Sequence, residues 1–115
     1  PDCIEERTRG LSRKEIAFQQ NIYQIQSLNA VLFIPDAFTP EESSFQITGA
    51  IKYISKVQIY TFNGDKLIFQ TSVAENAWNG IWKSKPQYGF FKYVITIELK
   101  DNKTETIEGI VGTMK

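Results

Sequence analysis

The chain has 115 residues, with 13 Lys and Arg balanced by 13 Asp and Glu, one Cys and no His. That length suits one domain with a real core, and a zero net charge supplies no global field to draw nucleic acid or an anionic membrane. The missing His removes the commonest general base and metal ligand, and a single thiol, Cys3, forms no internal disulfide.

Eight Phe, five Tyr and two Trp suit pleated sheet faces, where aromatic and β-branched side chains pack well. The basic residues Arg7, Arg9, Arg13 and Lys14 are interleaved with Glu5, Glu6 and Glu15 and read as a solvated face. No stretch is long and apolar enough to span a bilayer as a helix. Cys3 reads as an incidental thiol, or in an exported chain as a lipid-attachment residue, although Pro1-Asp2 before it is a poor lipobox.

Residues 1–29 are rich in Glu, Arg, Lys and Gln and poor in turn signals. Ser12 with Glu15 fits a helix-starting capping box, and Leu11 is placed to staple onto Ile16. Phe18, Ile22, Ile25 and Leu28 fall near helical spacing, so the favoured reading is a helix-like extension. The rival reading is a strand through Ile16-Ala17-Phe18 or Ile22-Tyr23-Gln24-Ile25. Either way the stripe is expected to pack on the domain that follows, whose boundary is placed at Asn29-Ala30, giving a domain over 30–115.

Val31-Leu32-Phe33-Ile34 predicts a buried first strand ended by Pro35, which lacks a ladder donor. Asp36 to Ser44 reads as a loop with Phe38 tucked into the core, and Phe45-Gln46-Ile47-Thr48-Gly49 as an alternating strand. The clearest local signal is a hairpin: Lys56–Phe62 and Lys66–Thr71 flank Asn63-Gly64-Asp65, and Asn-Gly tolerates the positive φ of a tight turn. Trp78-Asn79-Gly80-Ile81-Trp82 and a polar turn at Pro86 form a corner, with Trp78 in the core. Gly89 opens the longest predicted strand, with Phe91, Tyr93, Ile95, Ile97 and Leu99 on one face and Phe90, Lys92, Val94, Thr96 and Glu98 on the other. Thr104–Met114 returns as the last strand, with Ile107, Gly109 and Val111 inward. Six or seven short strands with regular turns predict an antiparallel sandwich.

Five stretches carry a resemblance in their order along the chain: Ile34-Pro35-Asp36-Ala37-Phe38-Thr39-Pro40, Ile59-Tyr60-Thr61-Phe62-Asn63-Gly64, Trp78-Asn79-Gly80, Gly89-Phe90-Phe91-Lys92-Tyr93, and Gly109-Ile110-Val111 with a basic end at Lys115. Through them residues 31–115 resemble the gliding-motility-associated C-terminal domain of Bacteroidetes surface proteins, the type B cargo domain of the type IX secretion system. The family-motif residues carried over are Pro35, Phe38, Thr39, Pro40, Gly64, Trp78, Gly80, Gly89, Tyr93 and Gly109.

Two departures stand out. The family follows Phe-Thr-Pro with a glycine-rich acidic loop, whereas this chain has Glu41-Glu42-Ser43-Ser44. Without turn glycines and with few carboxylates it is unsuited to wrapping a hard cation, so Asp36, Glu41 and Glu42 read as a solvated acidic edge. The chain also ends Gly-Thr-Met-Lys, less apolar than the family pattern.

No catalytic constellation is legible. Asp65, Glu75, Glu98, Asp101, Glu105 and Glu108 fall in turns or on outward strand faces, not as a pair across a cleft. Ser and Cys nucleophiles have no His to activate them. Trp82 and Tyr88 are the candidates for an aromatic ligand platform.

The combined expectation is a mainly β, antiparallel Ig-like sandwich of about seven strands with an N-terminal helical segment. The resemblance implies a non-enzymatic, cofactor-free module at the cell envelope, the outer-membrane surface or outside the cell. Its implied partner is a protein, of the secretion machinery or the envelope, and not nucleic acid. The alternatives are a small lipid-anchored envelope protein held by Cys3 and acting as an interaction module, or a carbohydrate-binding β-sandwich using Trp82 and Tyr88.

Overall fold

A computed structural model describes residues 20–25 and 28–115. The described chain is mainly β, with ten strands in three sheets. Strand β1 (Gln20–Ile25) pairs antiparallel with β2 (Ala30–Pro35), and β2 also pairs with the two-residue β4 (Thr48–Gly49). A second, five-stranded sheet has the order β3-β10-β9-β5-β6, formed by β3 (Ala37–Phe38), β5 (Ile54–Thr61), β6 (Leu67–Thr71), β9 (Gly89–Glu98) and β10 (Thr104–Thr113). A small hairpin, β7 (Ile81–Trp82) with β8 (Lys85–Pro86), stands apart.

The predicted helix gives way to a strand where the structure describes it. Residues 20–25 form β1, whose pairing with β2 runs from Gln20 opposite Pro35 to Ile25 opposite Ala30. Ile25 is buried and Tyr23 half-buried, while Ile22 is 70% exposed. An outward apolar Ile22 beside an inward Ile25 mimics helical spacing, although the burial alternates with period two. The capping-box part of that expectation, Ser12 with Glu15, lies outside the described residues, as does Cys3. The boundary drawn at Asn29-Ala30 falls inside the β1–β2 hairpin.

Two further expectations change. The predicted loop after Pro35 contains β3, and β3 pairs with β10 in parallel, so the five-stranded sheet is not wholly antiparallel. Pro35 ends β2 because it cannot donate to the ladder. The chain then turns at Asp36 and joins the other sheet, where the Asp36 carbonyl accepts from Gly112 N (3.0 Å) and the Phe38 carbonyl from Met114 N (3.1 Å). The run Phe45–Gly49 alternates as expected, with Phe45 and Ile47 buried, but only Thr48–Gly49 pairs as strand.

One core joins the two larger sheets. Ile25, Leu32 and Ile34 come from the three-stranded sheet, and Val57, Ile59, Phe91, Tyr93, Ile95, Ile97, Ile107 and Val111 from the five-stranded one. The inward face of β9 is the one expected from its alternation, down to a partly buried Leu99. The Asn63-Gly64 hairpin forms as read: Gly64 has φ +81, its amide donates to the Thr61 carbonyl (2.7 Å), and Asn63 Oδ1 accepts from Asp65 N (3.1 Å).

Candidate functional site

Of the residues singled out by the resemblance, scattered over 75 positions of sequence from Pro35 to Gly109, three pairs meet across separate stretches: Phe38 with Trp78, Pro40 with Gly80, and Tyr93 with Gly109. Trp78 is the centre. It is 1% exposed, and its ring meets Phe38 edge-on (centroids 5.6 Å apart, 83°) and Phe91 likewise (5.2 Å, 73°). Such edge-to-face pairs suit the quadrupole of aromatic rings. The indole N–H donates to the Ile81 carbonyl (3.1 Å), so the polar end of this buried ring is satisfied. The Trp78 carbonyl accepts from Phe45 N (2.8 Å), and the Asn79 carbonyl from Glu41 N (3.3 Å).

Pro40 and Gly80 form a second coupling. Gly80 has φ +85, and a β-carbon there would lie 2.7 Å from Pro40 Cβ. Glycine is therefore needed for conformation and for closeness. Thr39 sets the turn that delivers Pro40: its amide donates to Ser43 Oγ (3.1 Å), and its carbonyl accepts from Ser43 N (2.9 Å) and Glu42 N (3.1 Å). The third coupling is across β9 and β10. Gly109 lies opposite Tyr93, whose ring covers it so closely that a β-carbon would sit 2.3 Å from the phenolic oxygen. Tyr93 also packs on Phe45 (5.2 Å). Gly89 has φ +125 with nothing near its missing β-carbon, so its requirement is conformational alone.

Trp82 and Tyr88, the candidate platform residues, sit in different surroundings. Trp82 is half-buried in β7, and Tyr88 is 46% exposed in the link to β9; the ring pairs among the described residues do not include the two together. Each ring is covered by ammonium groups: Lys83 Nζ lies 4.8 Å and Lys66 Nζ 5.3 Å from the Trp82 centroid, and Lys115 Nζ 6.0 Å from that of Tyr88. The Trp82 backbone is pinned as well, since the Gln87 side-chain amide donates to the carbonyls of Trp82 (3.4 Å) and Lys85 (3.1 Å).

Asp36, Glu41 and Glu42 are exposed, as are Asp65, Glu75, Glu98, Asp101 and Glu108. Among the described residues no group of His, Cys, Asp or Glu is arranged to hold a metal ion, and no helix is long and apolar enough to cross a membrane. Two tyrosines are held neutral to higher pH than usual. Tyr23 donates its hydroxyl to Glu105 Oε2, and that bond, with burial and the Glu105 charge, raises its pKa. Tyr93 is raised by burial first and the charge of Asp36 second.

What the sequence reading missed is an apolar end on the outer face of the five-stranded sheet. Phe62, Phe90 and Ile110 are 62%, 65% and 40% exposed, and the rings of Phe62 and Phe90 lie 6.3 Å apart. The signal was present in Phe90-Phe91 and in Ile110-Val111, two pairs of adjacent apolar residues of which a strand must turn one outward.

No protein-family model matches the chain, and comparisons with curated proteins and with solved structures likewise find no match.

Proposed function

We propose that this chain is a non-enzymatic, immunoglobulin-like β-sandwich module that serves sorting to, or residence at, the bacterial cell surface, in the manner of type IX cargo domains. The observation that carries the reading is the coupling of the motifs. Phe38 with Trp78, Pro40 with Gly80, and Tyr93 with Gly109 each join one stretch of the resemblance to another. These contacts support the reading by bringing separate stretches of the resemblance together. The passage of the chain from β2 to β3 between sheets, and the parallel pairing of β3 with β10, support the immunoglobulin-like description.

On this reading the module acts through its folded surface and binds a protein of the secretion machinery or the envelope. Intact mass and membrane fractionation of the native polypeptide from its own cells test it. A large product exposed at the cell surface is expected. A small product that partitions with membranes and carries acyl mass on Cys3 would contradict the sorting role and favour a lipid-anchored interaction module.

A further inference from the structure

Strand β10 is regular but only partly paired. Its register with β9 runs from Thr104 opposite Glu98 to Thr113 opposite Gly89 without a shift. On its other side β3 meets it only at Gly112 and Thr113. Along an antiparallel strand, alternate residues turn their N–H and C=O groups to the same edge. The Gly112 N–H points toward β3, since it donates to the Asp36 carbonyl (3.0 Å). Ile110, Glu108 and Thr106 therefore turn their backbone groups to that same edge, beyond the end of β3. Among the described residues no strand pairs with them there, and all three are exposed.

An open edge of this kind is a template for another strand. The opposite edge of the sheet, β6, is guarded by a register shift against β5 and by Lys66 just before it. The stretch from Thr104 to Ile110 has no proline, lysine or register shift. Its surroundings select the occupant. Beside Ile110 a groove is walled by Asp36, Ala37, Phe90 and Met114, and Gly112 presents no side chain to it. Asp36, Glu105 and Glu108 set carboxylates along the edge. Glu108 meets Lys92 (3.0 Å), and no cationic side chain of the described residues pairs with Asp36 or Glu105. A second copy of β10 laid antiparallel on this edge would bring Glu105 and Glu108 toward their own counterparts, which is unfavourable. A segment with apolar and basic side chains meets no such repulsion.

We propose that the open edge of β10 receives an extended segment of a protein partner. It pairs with the backbone of Thr106, Glu108 and Ile110, seats an apolar side chain in the groove at Phe90 and Ile110, and sets Lys or Arg toward the carboxylates. The inference names how the partner of the proposed module docks and rests on that reading; the edge is tested without the secretion pathway, so the two fail separately.

Amide exchange of the full chain, read by NMR, tests it, with an acetylated peptide of alternating lysine and valine as the probe. In the free protein the amides of Thr106, Glu108 and Ile110 should exchange fast, while those of Ile107, Gly109 and Val111, turned to β9, exchange slowly. Saturating peptide should slow the first three about tenfold or more, and a glutamate-valine peptide should not. Thr106→Pro removes one edge donor and no bond to β9. It should keep the urea midpoint and weaken binding of the lysine-valine peptide several-fold, whereas Thr106→Val should bind as the unaltered chain does. Slow exchange of the three amides in the free monomer would show an edge already covered and overturn the proposal. Protection that appears with protein concentration alone would assign the edge to a second copy and overturn it as well, as would amides that stay fast at saturating peptide.

Discussion

Trp78 touches Phe38 and Phe91 and donates to Ile81, so its removal opens a hole in the core and frees a carbonyl. Trp78→Ala should cost about 3–5 kcal/mol in urea unfolding; a loss under about 0.5 kcal/mol would mean the ring is not part of the core. The glycines separate conformation from crowding. At Gly64 a β-carbon would meet nothing closer than Lys92 Cδ at 3.8 Å, so Gly64→Ala should cost only the left-handed strain, about 1 kcal/mol. At Gly80 the same strain is joined by contact with Pro40 at 2.7 Å, and Gly80→Ala should cost clearly more. At Gly109, φ is not the issue and Tyr93 is. Gly109→Ala should destabilise strongly alone and much less beside Tyr93→Leu, with a coupling of about 1 kcal/mol or more in the double-mutant cycle. Additive losses would show that the ring does not enforce the glycine.

At the scale of elements, the strands legible in the sequence were those whose pattern was local. The Asn63-Gly64 turn announces its hairpin, and β9 shows its inward face in Phe91, Tyr93, Ile95 and Ile97. The corner at Trp78 was also legible, because a large aromatic beside a glycine has few other uses. The elements missed depend on distant partners. β1 follows the rival reading of a strand through Ile22-Tyr23-Gln24-Ile25, and the edge of β2 that decides it against the favoured helix lies outside any window around Ile22. β3 is two residues long and exists through the end of β10, 75 residues away from Ala37 at Gly112. The approach of Lys66 to the Trp82 ring was hidden for a related reason: Lys66 comes from another element and is remote from Trp82 in sequence.

Across the whole molecule, one pH effect on stability follows from two tyrosines. Tyr93 and Tyr23 both have raised pKa values in the fold. Above the ordinary tyrosine pKa of about 10, the unfolded chain releases phenolic protons that the folded chain keeps. The unfolded state then binds fewer protons, so stability falls as pH rises beyond that point and is unaffected by these groups below it. Denaturant midpoints should decline through this alkaline range, and Tyr93→Phe should flatten the decline; an equal decline in the variant would remove Tyr93 as its cause.

The proposed role is that of a domain that works by being recognised, and the motif couplings and the apolar end of the outer face support it. The most direct test of that role is delivery of a reporter. Residues 1–115 are fused to the C-terminus of a periplasmic reporter in a host with an active type IX pathway, and surface exposure is read by protease shaving of intact cells. The reporter is expected to reach the surface and to stay inside when the pathway is disabled; a folded fusion that remains in the periplasm of the active host would contradict the sorting role.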